Sequence, residues 1–417
     1  MVRSFRMRHV VAAASAIALA ASLAACAPDA GDDIAAPPQV EASLPDDTRA
    51  QLQSAVETAV AASGASGALV GVWAPWAGEW VAGVGTVSPG GAAVDGSDTF
   101  KAGVVTRAMT CDILYGLAHE GTVKLGDPVT NYVPGLPEGE DATLESLCDS
   151  TSGIASYGDL LSARLLANPE RVWNPRELIA YGIGRGGDTT GGASFADSDT
   201  GYVLLGLALE NAAGKPAATL LQEYVFDPVG MDASALPAVA GAELHGLWSP
   251  NAEDGTVACA APLDLTDLSP SAGYTASGVE SDLDDLGRYT RALATGARAY
   301  DATGRFEDAL PAAADGPSWF TAAGGTYQAG TLIGQYGAIP GYLTAAFADR
   351  NSGMTVVVVL NDSRASATLV RSLAWQLASI ASKVPAASGQ TAPEAGLPWT
   401  AEEMAAQVAS AAVCPVP

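Results

Sequence analysis

The segments that read as strands lie at the two ends of this 417-residue chain, with a long helical block between them. Near the start, Ala68 to Trp73 and Trp80 to Val87 are separated by a turn at Trp76-Ala77-Gly78. Late in the chain, Tyr327 to Gly334, Tyr342 to Ala348 and Met354 to Leu360 alternate with the turns Ile339-Pro340-Gly341 and Arg350-Asn351-Ser352-Gly353, which predicts an antiparallel meander. Helical spacing of Leu52, Val56 and Val60 behind Asp46-Asp47 predicts a first helix over 47–62. A second helix is expected from Val104 to Glu120, stopped by Gly121, and the middle block offers Thr200 to Ala213, Ala217 to Val225 and Leu283 to Ala294. Leu369 to Ser382 reads as a closing helix, and 386–398 as a linker before a short C-terminal helix ending at Cys414. This alternation is that of an α+β chain without internal repeats.

The first residues set the compartment. Arg3, Arg6 and Arg8 precede an apolar and small-residue stretch from Val10 to Leu23, which runs into Leu23-Ala24-Ala25-Cys26. The expectation is a lipoprotein signal over 1–25, a lipid on Cys26 and a chain anchored to the outer face of the cell membrane. An ordinary secretory signal is the alternative. Residues 26–45, with Pro28, Asp29, Gly31, Asp32, Asp33, Pro37, Pro38 and Pro45, read as a flexible tether. Beyond Cys26 no segment approaches the roughly 20 apolar residues of a membrane-spanning helix.

The chain carries 20 basic and 46 acidic residues; without the three signal arginines, 17 against 46 leaves a net charge of −29. Nucleic-acid binding is excluded on that balance, because it needs Lys and Arg to neutralise phosphates. Cys111, Cys148, Cys259 and Cys414 remain in an oxidising compartment, which suggests two disulfides with three connectivities open.

More specific than the order of elements is a series of short landmarks. They are Phe100-Lys101-Ala102-Gly103 before a helix, Gly121 to Val129 with Tyr132-Val133-Pro134, Thr151-Ser152-Gly153-Ile154, Asp199 to Gly206, Phe226 to Met231, and Gly278-Val279 with Ser281, Asp285 and Leu286. In this order and spacing the chain resembles the serine β-lactamase and penicillin-binding-protein family, in the branch of class C β-lactamases and DD-carboxypeptidases, over about residues 48–383. The resemblance implies a β-lactamase-like domain over 46–385: an α/β lobe from 46–124 and 300–385, with an antiparallel sheet flanked by helices, and an all-helical lobe inserted at 125–299. The linker and C-terminal helix, 386–417, follow it.

The same map puts the family's chemistry to the test. A Ser-x-x-Lys places serine and lysine one helical turn apart, so the amine can help remove the hydroxyl proton. Here those positions fall on Val104 and Arg107: the first has no nucleophile, and the second stays protonated and cannot act as a base. No register shift restores the motif, since the four lysines, Lys101, Lys124, Lys215 and Lys383, follow Asp98, Gly121, Ala212 and Ile380 by three residues. The Tyr-x-Asn motif maps to Asp197-Ser198-Asp199, and the His- or Lys-Thr-Gly motif to Gln335-Tyr336-Gly337. No catalytic residue is therefore assigned.

The resemblance implies a cleft lined by Arg107, Asp197, Asp199, Tyr336 and Gly337. Either Arg107 pairs with Asp197 or Asp199, or these side chains point to solvent. It also places Cys111 on the helix that would carry the nucleophile and Cys148 beside it, implying Cys111–Cys148 with Cys259–Cys414. His119, at a helix end, and His245, in a loop, read as solvated; Ser152 matches a structural position. No cofactor and no metal ligand set is expected. The expectation is a catalytically degenerate binding or regulatory module at the cell envelope, with peptidoglycan-like peptides or an envelope protein as partner. The alternative is a carboxypeptidase, esterase or β-lactamase with a relocated nucleophile, drawn from Thr106, Thr110, Ser198 or the Asp197 and Asp199 pair.

Overall fold

The computed structural model describes residues 36–137, 142–185, 194–394 and 396–414. Residues 1–25, expected to be a lipoprotein signal, and Cys26 lie outside the described residues.

The two strand-rich ends of the chain meet in one sheet. We label its strands β1 (Gly67–Ala74), β2 (Gly78–Gly85), β3 (Leu310–Pro311), β4 (Phe320–Ala323), β5 (Thr326–Ala329), β6 (Leu332–Ile339), β7 (Tyr342–Asp349) and β8 (Thr355–Leu360). Their order is β2-β1-β8-β7-β6-β5-β4-β3, and every pairing is antiparallel. The closing ladder is β1 on β8, with Val70 opposite Val358. Both faces are covered, which is why β8 reads as the unbroken apolar run Thr-Val-Val-Val-Val-Leu. Val356, Val358 and Leu360 pack in one core and Val357 and Val359 in the other, as alternate side chains must.

One face carries α1 (Asp46–Ser63), α5 (Ala367–Ala381) and α6 (Ala401–Ser410). The other carries α4 (Leu283–Ala294), and α2 (Thr106–His119) and α3 (Asp199–Ala213) pack in the same core, with the shorter helices of the middle block around them. This is the mixed fold expected, an antiparallel sheet between helices with a large helical insertion.

Two local expectations need correction. Tyr327 to Gly334 is not one strand: it breaks at Gly330, whose φ of +58° suits a tight turn, and β5 and β6 pair across it. β6 then continues to Ile339, through the third motif position. Nor is the described part of the tether free. Gln39 donates through Nε2 to Ala74 O and Gly78 O, Ser43 bridges to Glu79, and Leu44 is 1% exposed, so this arm is docked on the β1–β2 hairpin. An amide and a leucine supply what the proline-rich composition hid.

Two disulfides are present, Cys111–Cys148 and Cys259–Cys414, the pairing the resemblance implied. The first ties α2 to the short helix Leu144–Cys148, and closing its loop contributes about 4 kcal/mol in the chain-entropy view. The second holds the C-terminal tail to a loop of the middle block.

Candidate functional site

The turn Gly103–Val105 leads into α2, and Gly103 enters it with φ +58°. Val104 is buried at 5% exposure. A Cβ on Gly337 of β6 would lie 2.6 Å from Val104 Cγ2, so the valine side chain rests on bare strand backbone. Hydrocarbon thus fills the position that the resemblance matches to the nucleophile.

One turn on, Arg107 makes two charge-assisted bonds, one to each carboxylate: Nη1 to Asp197 Oδ1 and Nη2 to Asp199 Oδ1, both 2.5 Å. The guanidinium stacks 5.2 Å from the Tyr202 ring centroid. Its side chain is 5% exposed, against 43% for Asp197 and 25% for Asp199, so the cation is internal and the anions reach the surface. Burial would lower the Arg107 pKa, but Asp197 and Asp199 hold it well above its ordinary value. It is a fixed charge in this setting.

Local structure holds both carboxylates in place. Ser198 caps α3 by accepting from Gly201 N–H at 3.2 Å, which leaves Asp199 as the first helical residue, where a negative charge suits the helix dipole. Ser156 donates to Asp199 Oδ2 at 2.8 Å and accepts from the Asp199 N–H at 3.2 Å. The sequence reading missed Ser156; a serine four residues after Ser152 in a loop carries no signal without the fold.

Gln335, which the resemblance matches to the first position of the third motif, is turned inward. Gln335 is 4% exposed; its Nε2 donates to Gly325 O at 3.1 Å and its Oε1 accepts from Tyr336 N–H at 2.9 Å. Gln335 and Gly337 share the face of β6 that meets the Gly103–Val105 turn. Tyr336, expected in the cleft, points to the opposite face because side chains alternate along a strand. There it packs 4.8 Å from the Tyr327 ring centroid and accepts a 3.3 Å bond from Arg371 Nη1 of α5.

The crevice bounded by Asp197, Tyr202, Gly325, Tyr327 and Gln335 has no room for a water molecule. A cavity of about 250 Å³ lies on the other side of Asp199, walled by Tyr157, Leu165, Leu268, Ser277, Ile339 and Lys101. The remaining candidates are occupied structurally. Thr106 Oγ1 donates to Gly103 O at 2.7 Å and Thr110 Oγ1 to Thr275 O at 2.7 Å, while Ser198 is the cap just described. His245 Nδ1 meets Asp264 Oδ2 at 3.0 Å in an exposed loop, His119 is exposed, and Ser152 Oγ accepts from Ile154 N–H. Among the described residues no group of His, Cys, Asp and Glu is placed to hold a metal ion.

A second ionic cluster, unforeseen in the sequence, lies further along α2. Asp112, fully buried, accepts from Tyr289 Oη at 2.6 Å, from Tyr300 Oη, and from Arg305 Nη1 at 2.7 Å, with Arg298 Nε 3.2 Å away. Burial would raise its pKa, yet the two arginines and two phenols hold it below the ordinary carboxylate range. The available signal was an aspartate inside an apolar helix.

Comparison with known proteins fixes the class. The family described as Beta-lactamase matches residues 52–379, and the chain belongs to that family. It is similar to the D-alanyl-D-alanine-carboxypeptidase/endopeptidase AmpH of Escherichia coli K12, 33% identical over 133 residues, which are 30% of this chain and 34% of that protein. The chain thus matches about a third of the length of that curated relative. Among solved structures, the D-stereospecific amidohydrolase from Streptomyces sp. aligns with a TM-score of 0.67 and 26% identity, over 76% of this chain and 95% of its own. A penicillin-binding protein from Bacillus halodurans shares the fold at a TM-score of 0.62 and 18% identity, over 75% and 94%.

Proposed function

We propose that this family member is a non-hydrolytic binding or regulatory module, exported and held by a lipid on Cys26 at the outer face of the bacterial cell membrane. One observation carries the reading: Arg107, which the resemblance matches to the lysine position one turn after Val104 at the nucleophile position, is locked between Asp197 and Asp199. A serine ester needs a hydroxyl and a base able to take its proton; an isopropyl group and a permanent cation supply neither. The buried, backbone-bonded Gln335 agrees, since the third motif offers no imidazole or amine.

The occupant of the open cavity beside Asp199 is a peptidoglycan-like peptide or a segment of an envelope protein, the ligand class that the similarity to a D-alanyl-D-alanine carboxypeptidase suggests. The test is twofold. The purified chain is expected to bind D-alanyl peptides by calorimetry without releasing D-alanine, and to turn over no chromogenic cephalosporin. Steady-state release of D-alanine above the buffer rate would overturn the reading. Anchoring is checked separately: Cys26→Ala is expected to move the protein from the membrane fraction to the medium, and an unchanged membrane fraction would count against the lipid.

A further inference from the structure

Lys101 is one of only four lysines in the chain, and no step above uses it. It lies on a two-residue strand paired with Glu280–Ser281, 3% exposed, and it is part of the wall of the 250 Å³ cavity. Its Nζ donates to two backbone carbonyls, Thr266 O at 2.9 Å and Leu268 O at 2.6 Å, and the Tyr342 ring lies 6.0 Å away. Two carbonyls and Cε take three of the four tetrahedral directions at nitrogen. No protein partner takes the fourth among the described residues.

We propose that Lys101 is an acyl-accepting amine, which takes the acyl group of a small uncharged activated ester entering this cavity. In the step, the Nζ lone pair attacks the ester carbonyl carbon and a C–N bond forms. The C–O bond to the leaving alkoxide or phenoxide breaks, and the extra proton on nitrogen passes to solvent. The product is a stable amide, so the step runs once per chain.

Three observations support this. Both carbonyl bonds persist when the amine is neutral, because a neutral amine still has two N–H groups to donate and then carries its lone pair in the fourth direction. Burial pushes the Lys101 pKa down to about 8, against the opposing pull of the Glu280, Asp267 and Asp264 carboxylates. His245, bonded to Asp264, is the further titratable group on this side. At pH 8 roughly half of such an amine is neutral, about 100-fold more than for a lysine of ordinary pKa. Finally, Asp199 and the exposed Asp159 line the same cavity, so the part of a donor that passes them to reach Lys101 is favoured when it bears no carboxylate, while a carboxylate at its other end stays in solvent.

The test uses the full chain with p-nitrophenyl acetate, followed by peptide mapping. The expected result is one equivalent of p-nitrophenolate, an acetyl group on Lys101 placed at least about tenfold faster than on Lys124, Lys215 or Lys383, and a rate that levels off above about pH 9. Ser162→Trp, at an exposed helical position lining the cavity, is expected to slow labelling of Lys101 and leave the other three lysines unchanged. Labelling of Lys101 no faster than the others, a rate still climbing through pH 10, or release that continues after Lys101 is fully acetylated and exceeds buffer hydrolysis plus labelling of the other three lysines overturns the proposal. The cephalosporin and D-alanyl peptide tests of the non-hydrolytic reading do not depend on this outcome, since they report turnover.

Discussion

Two ionic clusters sit on one helix, less than two turns apart, and they are opposites. At the cleft, Arg107 is shared by Asp197 and Asp199: one cation between two anions, with the anions reaching solvent. Further along α2, Asp112 is shared by Arg298 and Arg305: one anion among two cations, with all three side chains at or below 1% exposure. The first can relax by drawing water onto its carboxylates. The second cannot, because no solvent reaches it. A buried charge cluster that must stay whole is a structural requirement, whereas a half-exposed one is free to meet a ligand.

Breaking each cluster should expose that difference. The largest effect is expected for Asp112→Asn, which leaves two buried guanidinium groups without an anion: a loss of about 3–5 kcal/mol in urea unfolding, enough to threaten folding. Arg107→Met should cost less, about 1–3 kcal/mol, because Asp197 and Asp199 keep access to water once their partner is gone. A loss for Arg107→Met equal to that for Asp112→Asn would mean that the cleft cluster is as sealed as the deep one.

Asp149 stands between the two regions and sharpens the contrast. Burial pushes its carboxyl up to about 6, against the opposing Gly324 N–H bond, while Arg305 pulls it down. Its Oδ1 accepts from Gly324 N–H at 2.6 Å, which pins the β4–β5 turn that closes the crevice beside Asp197. The folded pKa is raised above the unfolded value, so the folded state holds the proton more tightly. The stability from this group is present below about pH 4 and is lost as pH rises through about 6. Asp149→Asn should flatten that part of the stability curve and raise stability at pH 7 by about 1 kcal/mol; an unchanged slope between pH 4 and 6 would remove Asp149 from the account. The smallest effect is expected for Asp197→Asn, under about 1 kcal/mol by thermal unfolding, since that carboxylate is 43% exposed.

The sheet was legible because both its faces are buried. Long apolar runs such as Met354 to Leu360 declare themselves, and Leu283–Ala294 fell where its helical spacing put it. Gly330 hid inside an apolar stretch, so the β5–β6 turn was read through. The ladder Phe320–Ala323 was missed because alanine and threonine carry little strand signal over four residues. In the cleft, the family map put Arg107 near both carboxylates, but whether one, both or neither would be bound depended on the Ser198 cap and on Ser156. The face that Tyr336 takes could not be read without the phase of β6. The Asp112 cluster was invisible for a plainer reason: Arg305 is 193 residues away in the chain.

A penicillin can acylate this cleft only if some atom there is able to attack, and Val104 offers none. The direct measurement is intact-mass spectrometry after exposure to a labelled penicillin, run on the wild-type chain beside the double variant Val104→Ser, Arg107→Lys. The wild type is expected to keep its unmodified mass at every time point. A penicilloyl ester on the wild-type chain would contradict the account.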